Sequence, residues 1–333
     1  MWSWIKRISL LALCLTLLAA AGLRWYAYSP LKLPSDPAKF SIKAGSSLKS
    51  ATRQIVESGI ELRAWQFNLL GRLLGKAAAI KAGSYEINSG ITPLALLDKL
   101  TAGDVARVEF VFVEGWTFRQ LRAALNADPD IRHDSAELSD AEIMKELDDA
   151  GRSPEGLFFP DTYVFGKGTS DLDILKRAYA AMDKRLQTAW QQRAPDLPYR
   201  NPYEALIMAS VIEKETGQAS ERAMIAGVFV NRLRKGMLLQ TDPSVIYGLG
   251  EKFDGNLRKK DLRADTPHNT YTRSGLPPTP IAMPGLAALQ AALNPAQTSA
   301  LYFVARGDGS SEFSNTLAEH GRAVDRFQRR RRR

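Results

Sequence analysis

One apolar stretch, NPYEALIMASVIEKETG at 201–217, constrains the fold more than any other part of the chain. It predicts a helix buried over most of its length. At about 100° per residue, Met208, Val211, Ile212 and Glu215 fall on one stripe of this helix, so Glu215 continues a face that favours burial. Burial disfavours the charged form of a carboxylate and raises its pKa. The pattern therefore indicates a glutamic acid that keeps its proton near neutral pH and can donate it.

Glu213 is the second acid at the end of the same helix. It lies behind Leu206, Ala209 and Ser210 on a neighbouring stripe, so helical geometry alone does not choose between Glu213 and Glu215. The helix alone is also compatible with a simpler interpretation, in which both acids mark the solvated end of a core helix.

The positive charge of the chain is concentrated at its end. The formal net charge is +9, but Arg326 and Arg329–Arg333 supply six of the 45 basic residues, which leaves 39 basic against 36 acidic residues elsewhere. This distribution argues against a nucleic-acid-binding domain. The basic tail, 326–333, is predicted to be a solvated, disordered end, with contact to anionic lipid as the alternative.

Cysteine and histidine usage excludes two further classes. Cys14 is the only cysteine, so no intrachain disulfide can form, and Cys/His metal clusters are excluded. His133, His268 and His320 are far apart and lack the HExxH spacing of a zinc site. We therefore expect no metal and no cofactor.

Residues 1–29 are predicted to contain a membrane anchor. Residues 8–23 carry no charge and follow Lys6 and Arg7, and Trp4 and Trp25 are placed about 32 Å apart on a helix, which matches aromatic belts on the two sides of a bilayer. The basic residues predict a cytoplasmic N-terminus, with the chain from about residue 30 outside. A signal peptide cleaved near residues 19–21, Ala-Ala-Ala, is the alternative.

The rest of the chain predicts an α+β fold in two domains. Residues 30–39, with three prolines, predict an extended tether. Segments beginning at Phe40, Tyr85 and Phe112 each run from a strand through a glycine to a hydroxyl N-cap and a helix. The first two place a small α+β domain at 40–108, which resembles the LysM class of glycan-binding domains; a spacer without a ligand is the alternative. A larger, mixed α/β domain follows at 109–325.

Four motifs in the larger domain carry a more specific resemblance. They are MASVIEKET at 208–216, VFVNRLRKGM at 228–237, LQTDPSVIYG at 239–248 and NTYTRSGLPPTPI at 269–281. In content and order they resemble the YceG-like family of endolytic murein transglycosylases, and the likeness extends over essentially the whole chain. In that family the second glutamate of the Glu-Lys-Glu-Thr element is the catalytic acid, which matches Glu215 on a helix like the glutamate helix of lysozymes.

The resemblance implies lytic cleavage of the β-1,4 bond between N-acetylmuramic acid (MurNAc) and N-acetylglucosamine (GlcNAc) inside nascent peptidoglycan strands. Glu215 would protonate the glycosidic oxygen and then accept the proton of the MurNAc 6-hydroxyl, which closes a 1,6-anhydro ring. Because the sugar supplies the nucleophile, the second carboxylate of ordinary glycosidases is not required. The resemblance also implies a bacterial inner-membrane location, a periplasmic catalytic domain and penicillin-binding synthases as partners.

Two polar segments after the glutamate helix are the candidates for a glycan groove, because polar groups in apolar surroundings need partners or a ligand. For each candidate, a structural role in a cap or turn is an equal alternative to contact with glycan. For Asp242, this structural role is preferred over a role as second catalytic acid. The candidates are Gln240, Thr241, Asp242, Ser244, Tyr247, Asn269, Thr270 and Tyr271.

Two other functions remain open from the sequence. One is a muramidase-type hydrolase that uses Glu215 together with Asp242 or Asp265. The other is a non-enzymatic scaffold that binds glycan through the small domain and recruits synthases.

Overall fold

The computed structural model describes residues 2–329, with side chains from residue 4 to residue 328. The predicted basic tail lies outside the described residues from residue 330 onward. The helices are α1 Trp2–Tyr28, α2 Leu48–Glu57, α3 Ala64–Leu73, α4 Pro93–Ala102, α5 Phe118–Ala127, α6 Asp140–Glu146, α7 Asp171–Gln191, α8 Pro202–Glu215, α9 Arg222–Arg234, α10 Asp242–Leu249, α11 Lys259–Arg263, α12 Leu286–Leu293 and α13 Leu317–Val324. The strands are β1 Ala38–Ile42, β2 Gly83–Ile87, β3 Arg107–Val111, β4 Thr162–Gly166, β5 Tyr302–Ala305 and β6 Ser311–Ser314. Short 3-10 turns at Ala219–Glu221 and Gly250–Lys252 and a π turn at Asp325–Arg329 complete the described elements.

The predicted α+β class is confirmed. The strands form three two-stranded sheets, β1–β2, β3–β4 and β5–β6, among many more helical residues. The chain divides into two compact units. The first comprises Met1–Glu109 and Val164–Thr169, and the second comprises Phe110–Tyr163 and Ser170–Arg333.

The first unit is built on the antiparallel pair β1–β2, in which Phe40 lies opposite Tyr85. Their rings stack at 5.5 Å between centroids and are buried, so they are core residues and not a surface for sugar stacking. Helices α2, α3 and α4 pack on the same core through apolar residues such as Ile55, Phe67 and Leu97.

The predicted strand, turn and helix units are confirmed. Ser47 accepts a hydrogen bond from the Ser50 amide at the start of α2, and Thr92 does the same for Ala95 at the start of α4. Pro93 occupies the first turn of α4, where its missing N–H is not needed. In the third segment the strand lies earlier than predicted, because β3 ends at Val111, before Phe112, but Thr117 forms a capping box at the start of α5.

Helix α1 is continuous and enters the core of the first unit. Its segment Trp4–Tyr28 is long and apolar enough to cross a membrane by length and composition. At its end Tyr26 and Ala27 are buried in the core of the first unit. Leu31 is buried as well, and its amide donates to the Ile91 carbonyl at 2.8 Å. At the start of the predicted extended tether, 30–39, an apolar side chain thus packs on the core, and the last two residues of that segment begin β1.

The second unit is organised around α8. Eight consecutive residues, Ala205–Ile212, are buried, as expected for a helix that is apolar on all sides. It packs on α7, α9, α10 and α12. The buried Ser210 hydroxyl accepts a hydrogen bond from the Ile281 amide at 3.0 Å, which fixes the 281–285 segment against this helix.

Helix α9 is also buried, from Ile225 to Val230. Gly227 is needed there because a Cβ at this position would lie 2.7 Å from the Ala296 carbonyl oxygen. Near the C-terminus β5 and β6 form an antiparallel hairpin, with Phe303 opposite Phe313. Helix α6 is short, and its Ile143 and Met144 are buried.

Candidate active site

Glu215 is the last residue of α8 and lines a groove of about 980 Å³ in the second unit. One wall comes from the loop before α10 and from Tyr271, and another from the β5–β6 hairpin and α13. The Glu215 Oε2 atom accepts a hydrogen bond of 2.8 Å from the Thr241 hydroxyl. Glu215 is thus a partly buried acid beside an open groove.

The surroundings of Glu215 favour its protonated form. Burial raises the pKa of this carboxyl above its ordinary value, and the nearby negative charge of Asp242 acts in the same direction. The Thr241 hydroxyl and the Arg232 guanidinium act in the opposite direction and lower the pKa. The same two groups stabilise the carboxylate that remains after a proton has been donated.

Glu213 has a different environment. It is half-buried, and its Oε2 atom accepts a hydrogen bond of 2.9 Å from the amide of Gly285, the residue that precedes α12. Burial raises the pKa of Glu213, and the nearby Glu114 does so as well. Glu213 does not line the groove of Glu215. Of the two acids that helical geometry left open, Glu215 therefore lines this groove and Glu213 does not.

Thr241 holds the N-cap position of α10, but its side chain makes no capping hydrogen bond. The hydroxyl is committed to Glu215, although threonine is a preferred capping residue. Its backbone amide donates to the Thr270 hydroxyl at 3.0 Å, and the Thr270 and Ser244 hydroxyls lie 2.8 Å apart. A buried cluster of hydroxyl groups therefore fixes the partner of the candidate acid.

Asn269 fixes the neighbouring loop. Its side-chain amide donates to the carbonyls of Asp261, Leu262 and Ala264, and its oxygen accepts from the Tyr271 amide at 2.8 Å. Asn269 is fully buried. Like Thr241, Ser244 and Thr270, it supports the groove from behind and has no exposed surface for a substrate.

Gln240, Asp242 and Tyr271 line the same groove as Glu215. The Tyr271 hydroxyl donates to Asp242 Oδ1 at 2.5 Å, which joins the two loops at the edge of the groove. Gln240 is exposed and has a φ of 52°, an uncommon left-handed conformation for a residue with a side chain. Its amide donates to the Thr270 carbonyl at 3.1 Å, so the surrounding loop holds this conformation in place.

Arg232 is a groove residue that we did not predict as functional. It is buried, and its guanidinium donates to the Leu301 and Leu239 carbonyls at 2.7 Å each. It also lies 5.3 Å from the centre of the Tyr302 ring. One feature of the sequence could have indicated its importance. Arg232 lies on the face of α9 that carries the buried Ile225 and Phe229, where an arginine needs hydrogen-bond partners.

Tyr247 lies in a second cavity, of about 840 Å³, and not in the groove of Glu215. Its hydroxyl donates to Glu155 Oε2 at 3.2 Å. Both carboxylate oxygens of Glu155 also accept hydrogen bonds from the Phe118 amide in the first turn of α5, at 3.1 and 3.2 Å. Glu155 is buried, and burial raises its pKa to about 7. The arrangement explains Tyr247 as a partner of Glu155, whose hydrogen bonds connect the start of α5 to α10.

The Glu155 carboxyl predicts a pH-dependent stability. Its folded-state pKa of about 7 exceeds the ordinary value of 4.5, so its stabilising effect is complete below pH 4.5 and is lost as the pH rises through 7. Relative to Glu155→Gln, which stays neutral, the wild type should lose roughly 3 kcal/mol of unfolding free energy over that interval. Chemical denaturation at several pH values measures the difference. Glu146→Gln, at an exposed position, is the control, and parallel pH profiles for wild type and Glu155→Gln would contradict the prediction.

Asp265, the other residue considered as a second catalytic acid, is exposed and does not line the groove of Glu215. It forms two hydrogen bonds with Arg273, at 2.8 and 3.1 Å, and these interactions lower the pKa of Asp265. Asp242 is the carboxylate that shares the groove, as the first residue of α10.

A buried helix that ends in a glutamic acid of raised pKa beside an open groove has the features expected of a site for general acid catalysis. Comparison with known proteins identifies the family. The chain belongs to the YceG-like family, whose sequence model matches residues 40–326.

Curated relatives and a solved structure agree with this assignment. The chain is 31% identical to the endolytic murein transglycosylase of Bacillus subtilis (strain 168), over 86% of this chain and 84% of the relative. It is 27% identical to the endolytic murein transglycosylase of Streptococcus pneumoniae, over 93% of this chain but only 63% of that longer protein. The crystal structure of a YceG-like protein from Listeria monocytogenes matches with a TM-score of 0.55 and 30% identity, covering 86% of this chain and 98% of that one.

Proposed function

We propose that this protein is an endolytic lytic transglycosylase of peptidoglycan. It cleaves the β-1,4 bond between MurNAc and GlcNAc within nascent glycan strands, leaves a 1,6-anhydro-MurNAc end and so limits strand length. The observation that carries the proposal is the partly buried Glu215, with its raised pKa, beside the groove, in a chain similar to curated endolytic murein transglycosylases.

The chemistry assigned to Glu215 has two proton transfers. In the first, Glu215 donates its proton to the glycosidic oxygen as the bond from that oxygen to the anomeric carbon of MurNAc breaks. The GlcNAc-bearing part of the strand then leaves as an alcohol. In the second, the Glu215 carboxylate takes the proton from the MurNAc 6-hydroxyl, whose oxygen bonds to the anomeric carbon. The acid is regenerated, and no water is consumed.

The groove residues divide into two roles in this proposal. Gln240, Asp242 and Tyr271 line the groove and are the candidates for direct contact with sugar hydroxyl and amide groups. Thr241, by its hydroxyl, positions the Glu215 carboxyl, and Ser244, Asn269 and Thr270 hold that loop in place. Tyr247 lies in the neighbouring cavity, where its hydroxyl donates to Glu155, and we assign it no contact with the glycan.

A hydrolase of the muramidase type is the second candidate, because Asp242 lines the same groove and could activate a water molecule. Its hydrogen bond from Tyr271 and its place at the start of α10 equally support a structural role.

The proposed location is the bacterial inner membrane, with α1 as a single-pass anchor, the N-terminus in the cytoplasm and the catalytic unit in the periplasm. The length and composition of α1 support the span, and Lys6 and Arg7 before the apolar run support the orientation. Binding of glycan by the LysM-like domain and work beside penicillin-binding synthases remain predictions from the family resemblance.

Product analysis tests the proposed reaction. The full chain, in detergent, is incubated with uncrosslinked glycan strands, and the products are identified by mass spectrometry. We expect internal cuts that leave 1,6-anhydro-MurNAc ends, which lack the mass of one water molecule relative to reducing ends. Reducing ends would favour the hydrolase with Asp242, and intact strands would favour the scaffold.

A further inference from the structure

Helix α3 of the first unit has two apolar faces. Phe67, Leu70 and Gly71 are buried against the core. On another side, Trp65, Leu69 and Leu73 follow one another at intervals of four residues and are exposed to 68%, 40% and 66%. Residues at this spacing form one stripe along a helix. Such a contiguous apolar stripe on the surface marks a contact with a partner or with a membrane.

The exposed stripe faces the anchor helix. A groove of about 780 Å³, lined mainly by apolar atoms, runs between α3 and the second half of α1. Its α1 wall extends from Thr16 to Tyr28, about 18 Å along the helix axis, and its α3 wall includes Trp65, Leu69 and Leu73. The α1 residues of this wall as far as Leu23 belong to the uncharged run that the proposed anchor places in hydrocarbon. The stripe on α3 therefore borders a surface that is itself expected to be covered by lipid.

The ends of the groove are consistent with the boundary of a membrane. Trp25, Tyr28 and Trp65 all line it, and tryptophan and tyrosine are enriched where acyl chains meet headgroups. Arg24 and Arg63 line the same groove and are exposed, so they are placed to meet anionic headgroups.

We propose that α3 is a membrane-interface helix, which inserts Trp65, Leu69 and Leu73 into the outer leaflet beside α1. This inference rests on the proposed anchor and deepens it: the first unit lies on the membrane and is not lifted off it. The occupant of the groove between α1 and α3 is phospholipid, with its acyl chains against the leucines. A helix of this kind buries its apolar face about 5–10 Å deep, at the boundary of headgroups and acyl chains.

Site-specific labelling of the full chain in liposomes of phosphatidylethanolamine and phosphatidylglycerol tests the inference. Cys14 is the only cysteine and lies on α1, so labelling it with an environment-sensitive fluorophore reports on the anchor. In a Cys14→Ser background, Leu69→Cys and Leu73→Cys report on α3. Val56→Cys is the matched control, because Val56 is an exposed aliphatic residue of the same unit, at 41% against 40% for Leu69. Nitroxide groups on lipid acyl chains serve as quenchers, and iodide serves as the quencher from water.

We expect a blue-shifted emission and a loss of fluorescence with lipid-borne nitroxide at positions 69 and 73, as at Cys14, but not at position 56. If labels at 69 and 73 behave like the one at 56 while Cys14 is quenched by lipid, α3 is not in the membrane although the anchor is. If labels at 69 and 73 are shielded from both quenchers, a protein surface covers α3, and the inference is wrong. If Cys14 is not quenched by lipid, the anchor fails, and the inference fails with it.

Discussion

Replacing Glu215 with glutamine is expected to lower the rate of glycan cleavage about 10²–10⁴-fold, the usual contribution of a general acid. Glutamine is nearly isosteric with glutamic acid but cannot donate a proton to the leaving oxygen. Its amide oxygen can still accept the hydrogen bond from the Thr241 hydroxyl, so the groove should keep its shape. The measurement is the rate at which 1,6-anhydro ends appear in uncrosslinked glycan, with thermal unfolding recorded for both proteins.

Glu213→Gln is the matched control for this variant. Glu213 stands two residues earlier on α8 and is also partly buried with a raised pKa, but it binds the Gly285 amide and not the groove. A glutamine there retains an acceptor for that amide, so cleavage should continue at nearly the wild-type rate. Retained cleavage by Glu215→Gln, or equal losses in the two variants, would exclude Glu215 as the specific proton donor.

Replacing Arg232 with methionine is expected to destabilise the second unit by roughly 2–4 kcal/mol. The change removes hydrogen bonds to the Leu301 and Leu239 carbonyls, and a buried acceptor left without a partner costs about 1–3 kcal/mol. Methionine retains much of the apolar stem of arginine, so the loss reports mainly on the guanidinium. For a unit of this size we expect the melting temperature to fall by roughly 5–15 °C in differential scanning fluorimetry.

Arg234→Met, on the same helix, is the control for Arg232. Arg234 is exposed, and its guanidinium donates to the Asp196 carbonyl at the surface, where water can replace it. Its loss should change stability by no more than about 0.5 kcal/mol. Similar melting temperatures for the two variants would show that the buried hydrogen bonds of Arg232 are not important for stability.

The local structure around the candidate acid follows from the sequence, because it depends on residues close together along the chain. The apolar period of 201–217 predicts α8, and the stripe that ends in Glu215 predicts a partly buried carboxyl. The hydroxyl N-caps of α2 and α4 are likewise local signals.

The choice between Glu213 and Glu215 depends on contacts that are distant in sequence. Glu213 is held by Gly285 and Glu215 by Thr241, and no local pattern indicates which loop folds back onto which carboxyl. The same limitation applied to Tyr247, whose partner Glu155 lies far earlier in the chain. Helix α3 escaped prediction because it is apolar on two sides, which weakens the periodic signal of an amphipathic helix.

The hydrogen bond from Thr241 to Glu215 has a consequence for how activity can vary among relatives. Thr241, whose hydroxyl lowers the pKa of the acid, is held through its backbone carbonyl and amide by Ser244 and Thr270, which are buried and do not line the groove. Natural exchanges at these hidden positions could therefore move the pH range of the enzyme without altering any surface that the glycan meets.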